Sequence, residues 1–172
     1  MSKILVTYAT KHQSTAEIAE AIAQELRKSP TVTVDFHPVE AVKDIVGYDA
    51  VVLGSAVYAG QWQGSAAGFL KQYEQELAQR PVWIFSSGPT GEGDPAVILK
   101  GWELPEALKP LVDRIKPRDV VVFHGNLDSK KLNLFEKAIV KGVKAPMGDF
   151  RNWNEIRGWA ANIARELEPV TH

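Results

Sequence analysis

Thr10, Lys11, His12, Gln13, Ser14 and Thr15 follow the apolar run at 4–8 (ILVTY) and lead directly into an amphipathic segment. Thr10, Gln13, Ser14 and Thr15 can offer side-chain donors beside the backbone N–H groups that a helix start leaves unpaired. Those N–H groups carry the positive end of the helix dipole, so donors and field converge on a point suited to a phosphate. Neither Gly-x-x-x-x-Gly-Lys-Ser/Thr nor Gly-x-Gly-x-x-Gly occurs here, which sets aside the common nucleoside-triphosphate and dinucleotide loops. A phosphate held by hydroxyls and amides points to a mononucleotide, specifically FMN. A plainer reading competes with this one: Ser14-Thr15-Ala16-Glu17 fits a capping box in which Ser14 only caps the helix and Glu17 reaches back. Lys11 can add charge to the site or stay solvated, and His12 can pair with phosphate or lie on the surface.

Two further loops have the chemistry to complete such a site. In Ser55-Ala56-Val57-Tyr58-Ala59-Gly60-Gln61-Trp62, Tyr58 and Trp62 are aromatics placed where a ring system needs a stacking wall, and Gly60 admits close backbone approach. Ser86-Ser87-Gly88-Pro89-Thr90-Gly91-Glu92-Gly93-Asp94 supplies amides and hydroxyls with little bulk. An isoalloxazine is apolar on its faces and hydrogen-bonding along its edge, so one aromatic loop and one glycine-polar loop match its needs. Taken singly, loop aromatics often pack on neighbouring helices and Gly-Pro-Thr-Gly is an ordinary turn. The weight rests on all three loops sharing one edge. The expected cofactor-binding positions are 10–15, 55–58, 60, 62 and 86–91. No side chain is singled out as a catalytic acid or base, no metal site is expected, and His124 reads as structural.

The elements that must position these loops follow from periodicity. Segment 15–28 places Ile18, Ala19, Ile22, Ala23 and Leu26 on one helical stripe, and Ser29-Pro30 stops it. Segment 31–39 alternates as an outer strand, while 49–54, 81–86 and 119–124 are nearly continuous apolar strands. Helices are expected at 65–77 and 105–115. Strand alternating with helix argues for a parallel sheet covered on both faces, in the order 2-1-3-4-5, with ligands at the carboxyl ends of the strands. The expectation is one domain over 1–172, with an insert at 130–150 before the final helix.

Composition narrows the function. With 45% hydrophobic and 24% charged residues the chain reads as soluble and globular, and its formal net charge of -1 predicts neither a nucleic-acid partner nor an anionic membrane surface. Zero cysteines exclude disulfides and dithiol chemistry, so electron transfer would need a bound cofactor. No run approaches the ~20 apolar residues of a membrane span, and a cytoplasmic location is the default.

Tyr8, Thr10, Thr15, Ala19 and Ile22 fall on the pattern apolar–aromatic–x–Ser/Thr–x–x–small–x–Thr–x–x–x–Ala–x–x–aliphatic. On these residues the chain resembles the flavodoxin family over 3–167, which implies a three-layer α/β/α sandwich binding FMN. Two positions depart from the pattern. Gln13 stands where a small residue is usual, and is expected to crowd the phosphate or force a different backbone angle; Thr7 replaces an apolar residue. The segment 132–144 (LNLFEKAIVKGVK) and the ending 148–156, with Asn152 and Glu155 as a helix cap, resemble the branch that includes menaquinone-linked protoporphyrinogen oxidases.

Flavodoxin electron carriers are typically strongly acidic, unlike this chain. The insert combines apolar Leu132, Leu134, Phe135, Ile139 and Val140 with Lys130, Lys131, Lys137, Lys141 and Lys144. That mix suits an amphiphilic quinone, an anionic tetrapyrrole or a membrane surface; the alternative is a packed surface helix with solvated lysines. The leading expectation is an FMN-dependent oxidoreductase passing electrons to a quinone or other small acceptor, with at most peripheral membrane contact. Protoporphyrinogen oxidation, a pure carrier docking on protein partners, and a flavin-free relative of the fold are the alternatives.

Overall fold

A computed structural model describes residues 1–90, 93–143 and 146–169; Gly91, Glu92 and Lys144 lie outside the described residues. The first half runs β1 (Ser2–Ala9), α1 (Ser14–Leu26), β2 (Val32–Pro38), β3 (Ala50–Tyr58), β4 (Gln61–Trp62), α2 (Gly64–Gln72) and α3 (Glu74–Leu77). Then come β5 (Val82–Ser87), α4 (Pro95–Ile98), α5 (Lys109–Ile115), β6 (Asp119–Phe123) and β7 (Asn126–Leu127). The chain continues through α6 (Leu134–Val143), β8 (Gly148–Asp149) and α7 (Trp153–Glu166).

The main strands pair in parallel as β2-β1-β3-β5-β6, the expected order once the short β4 is set aside. Alternating side chains divide the core between the sheet's two faces. Ile4, Val6, Val52, Trp83 and Phe85 turn to one side, where Ile18, Ile22 and Leu26 of α1 meet Ile156, Trp159 and Ile163 of α7. Leu5, Val51, Leu53, Val82 and Ile84 turn to the other, against Phe69, Leu70, Leu77, Leu111 and Ile115. Each fully buried Ile or Leu contributes about 1.5–3 kcal/mol. Asn152 Oδ1 accepts from the Glu155 N–H at 3.1 Å, so the expected cap at the start of α7 is present.

The structure corrects several boundaries. Ser55–Tyr58 continue β3 rather than forming a loop, and β3 folds back on β4 through Ala59 and Gly60, at φ 51° and 74°. Two successive positive φ values suit the right-handed twist of a tight hairpin. The expected helix at 65–77 is broken at Tyr73, at φ -108° and ψ 20°, whose buried ring packs on Phe69 with centroids 4.8 Å apart. The expected helix at 105–115 begins as a 3-10 turn over Glu106–Leu108 before α5. Segment 130–150 contains α6 and β8, and β8 returns to pair antiparallel with β7 just ahead of the segment.

Gly54 on β3 lies beneath the Phe85 ring: a Cβ there would come within 2.0 Å of it. Phe85 is fully buried and boxed by Phe123 and Trp159, at centroid distances of 5.8 and 6.0 Å, so it has nowhere to move. Gly54→Ala is therefore expected to cost about 3 kcal/mol and to lower the thermal midpoint by roughly 10 °C, measured by calorimetry.

Candidate functional site

At the carboxyl ends of β1, β3 and β5 a cleft opens, lined by Thr10, Lys11, His12, Ser14, Thr15, Ala56, Val57, Tyr58, Ser87 and Gly88. All ten come from the three loops singled out by sequence. Gln63, Gly125, Asn126 and Leu127 complete the lining and were not anticipated. The last three lie just past β6, on the same sheet edge, so strand order alone could have pointed to them.

Gln13 is the N-cap of α1 in a left-handed conformation, φ 69°, and no side chain caps the helix. The capping-box reading of Ser14 therefore fails: Ser14 is the first helical residue, and Glu17 pairs with Arg151 at 3.4 Å. Of the two outcomes expected for Gln13, the altered backbone angle is the one found, at a cost of about 1–2 kcal/mol. Its side chain is exposed and is not part of the cleft lining. Five buried side-chain oxygens have no hydrogen-bond partner among the described residues, and three of them, Thr10 Oγ1, Ser14 Oγ and Tyr58 OH, line this cleft.

Lys11 and His12 are held from outside the turn by Glu136 of α6. His12 Nε2 lies 2.6 Å from Glu136 Oε2, the N–H donating, and Lys11 Nζ lies 3.2 Å from the same oxygen. Burial works against the Glu136 charge, but the hydrogen bonds from His12, the Asn133 N–H and Lys11 outweigh it and bring its pKa down to about 2. Lys11 Nζ also sits 4.4 Å from the Tyr58 ring centroid, a cation–π contact that fixes the ring beside the turn. Burial, and after it the Glu136 charge, raise the Tyr58 phenol above its ordinary value. Glu136 is 124 positions from His12. Only the interruption of an apolar stripe by one acid hinted at it.

The other sequence-chosen residues have structural partners. Ser55 Oγ donates to the Ala56 carbonyl at 3.0 Å and accepts from the Gln63 N–H at 3.1 Å. Trp62 is buried, its Nε1 donating to Ser86 Oγ at 2.9 Å, and neither residue is part of the cleft lining. Gly60 serves the hairpin turn. The Pro89 carbonyl accepts from the Gly125 N–H at 2.8 Å and faces His124 Nδ1 at 3.1 Å. His124 Nε2 faces the Gly93 carbonyl at 2.5 Å, which makes this histidine a fastener between the loops after β5 and β6. Thr90 is buried with an unpartnered hydroxyl, and Gly91 is outside the described residues.

These features define a doubly wound α/β protein with a cleft at the carboxyl edge of its sheet. The family model described as Flavodoxin domain matches residues 5–152, and the chain belongs to that family, whose members are FMN-binding flavoproteins. The fold is similar to rubredoxin oxygen:oxidoreductase from the anaerobe Desulfovibrio gigas, with TM-score 0.62 and 17% identity over 97% of this chain and 36% of that one. This chain thus spans about a third of that protein. Oxidised flavodoxin 1 from Bacillus cereus matches with TM-score 0.60 and 14% identity, over 97% of this chain and 100% of that one. An NADH:FMN oxidoreductase in its apo form matches with TM-score 0.60 and 15% identity, over 99% and 92%. At such identities the likeness is one of fold.

The Glu136 cluster makes a pH prediction. Its folded pKa, about 2, lies below the ordinary 4.5, so its contribution is complete above pH 4.5 and is lost as pH falls toward 2. Thermal midpoints measured across that window should fall less steeply for Glu136→Gln than for the parent. At neutral pH the variant should be less stable by about 1–3 kcal/mol, because Lys11 and His12 lose their charged acceptor. Parallel curves for the two proteins would show that Glu136 does not hold this charge.

Proposed function

We propose that this chain binds FMN in the cleft and passes electrons between the flavin and a quinone or other small acceptor. The supporting observation is the pair of unpartnered, buried hydroxyls of Thr10 and Ser14 beside the first turn of α1. Each orphaned donor costs the protein about 1–3 kcal/mol, a cost that an anionic ester with several acceptor oxygens would offset. Lys11, which lines the cleft, would add positive charge for a phosphate monoester.

Tyr58, Val57 and Leu127 give the rest of the cleft an apolar surface, and Gly88 lets its loop pack against Val57, where a Cβ would come 2.9 Å from the Val57 carbonyl. When bound there, FMN supplies hydride or single-electron transfer. The chain's own contribution is to bind, orient and keep water from the ring. A small acceptor, rather than an acidic docking surface for a protein partner, fits a net charge of -1.

Fluorescence titration of FMN tests the reading. Thr10→Val and Ser14→Ala should each weaken FMN binding roughly 10–100-fold, since each removes a hydrogen bond to a charged group. The same changes should leave the apo thermal midpoint unchanged or raise it, because they delete an unsatisfied hydroxyl. Protein that is colourless as purified and leaves FMN fluorescence unquenched would overturn the proposal. Faster oxidation of the reduced protein by a naphthoquinone than by a cytochrome would favour the small acceptor, and porphyrinogen supplied as electron donor tests the tetrapyrrole alternative.

A further inference from the structure

α6 carries a face that neither the core nor the cleft uses. Leu134 and Phe135 are 86% and 75% exposed, and Met147 on the return segment is 45% exposed. Isolated apolar residues on a surface are ordinary, but two large adjacent ones among cations are not. Lys130, Lys131, Lys137 and Lys141 are exposed around them and form no ion pair among the described residues. The one acid of the segment, Glu136, is turned inward and occupied by Lys11 and His12. The outward face is therefore cationic and apolar together, on a chain whose net charge is -1.

We propose that this face docks on an anionic lipid bilayer, with Leu134 and Phe135 entering the boundary between headgroups and acyl chains. The lysines would meet lipid phosphates, and charge complementarity selects this occupant over a neutral surface. Among the described residues no helix is long and apolar enough to cross a membrane, so the contact would be made from one side. Because Glu136 ties α6 to the β1–α1 turn, a docked helix would hold the phosphate end of the cleft close to the bilayer. A lipid-dissolved acceptor would then be met at that surface; this last step rests on the redox reading, whereas the docking itself does not.

Co-sedimentation of the full chain with vesicles tests it without flavin chemistry. Vesicles of phosphatidylcholine containing about one-third phosphatidylglycerol should bind at least roughly tenfold more tightly than phosphatidylcholine alone, and salt should weaken that binding. Leu134→Ser with Phe135→Ser, and separately Lys130→Glu with Lys131→Glu and Lys137→Glu, should each cut binding about tenfold or more. These side chains are exposed, so folding is expected to survive, and unchanged circular dichroism and FMN titration would verify that. Three results would overturn the proposal: no preference for anionic vesicles, parent-like binding by the Leu134/Phe135 variant, or a concentration-dependent dimer that Phe135→Ser dissolves. The last would assign the face to a second copy of the chain.

Discussion

Buried hydrogen-bond donors left without acceptors are a cost that folding normally avoids, and the connection from β1 to α1 holds two of them, on Thr10 just past β1 and on Ser14 at the first position of α1. The surrounding structure keeps that turn from relaxing. β1 is clamped between β2 and β3, and α1 is packed against α7. Arg151 is nearly buried; Nη1 donates to the Ser14 carbonyl at 3.4 Å, while Nε and Nη2 grip Asp149 at 2.9 and 2.7 Å. Gln13 stays in a backbone region that favours glycine because both neighbouring elements fix its ends. Pre-organisation of this kind spares a ligand the cost of ordering its own site.

The second organising element is the buried carboxylate of Glu136. It lies on a segment inserted after the last strand, yet its partners belong to the first loop. An ion pair with one partner removed strands a charge at the mouth of the cleft, so α6 and the turn are coupled in one direction at least. The same carboxylate influences Tyr58, which Lys11 also contacts. Charge on the turn, orientation of the aromatic wall and placement of α6 are thus linked through one side chain.

Local pattern made most of the architecture readable. Buried parallel strands such as VWIF at 82–85 are apolar on both faces and announce themselves, and a proline after 15–28 ends a helix unambiguously. The three loops followed because parallel connections deliver their turns to one edge. Less readable was anything decided by tertiary contact. Trp62 looked like a cofactor wall because loop aromatics carry no mark of their destination, and here Ser86 accepts its N–H inside the core. Ser14 looked like a cap because its spacing to Glu17 fits that motif, but Arg151 draws Glu17 away. The hairpin at Ala59-Gly60 was hidden because Ala-Gly is a weak turn signal and the strand it reverses into, Gln61–Trp62, is only two residues long.

Where the chain leaves β5 and β6, Gly88 and Gly125 touch backbone to backbone: a methyl group on Gly125 would lie 2.9 Å from the Gly88 Cα. His124 rivets the same two excursions through the Pro89 and Gly93 carbonyls. The paired strand exits therefore behave as a single rigid jaw, closed to any ornament at its hinge. Novel chemistry at this rim can be grafted only farther out, on the stretch leading through α4 or on the one that carries α6.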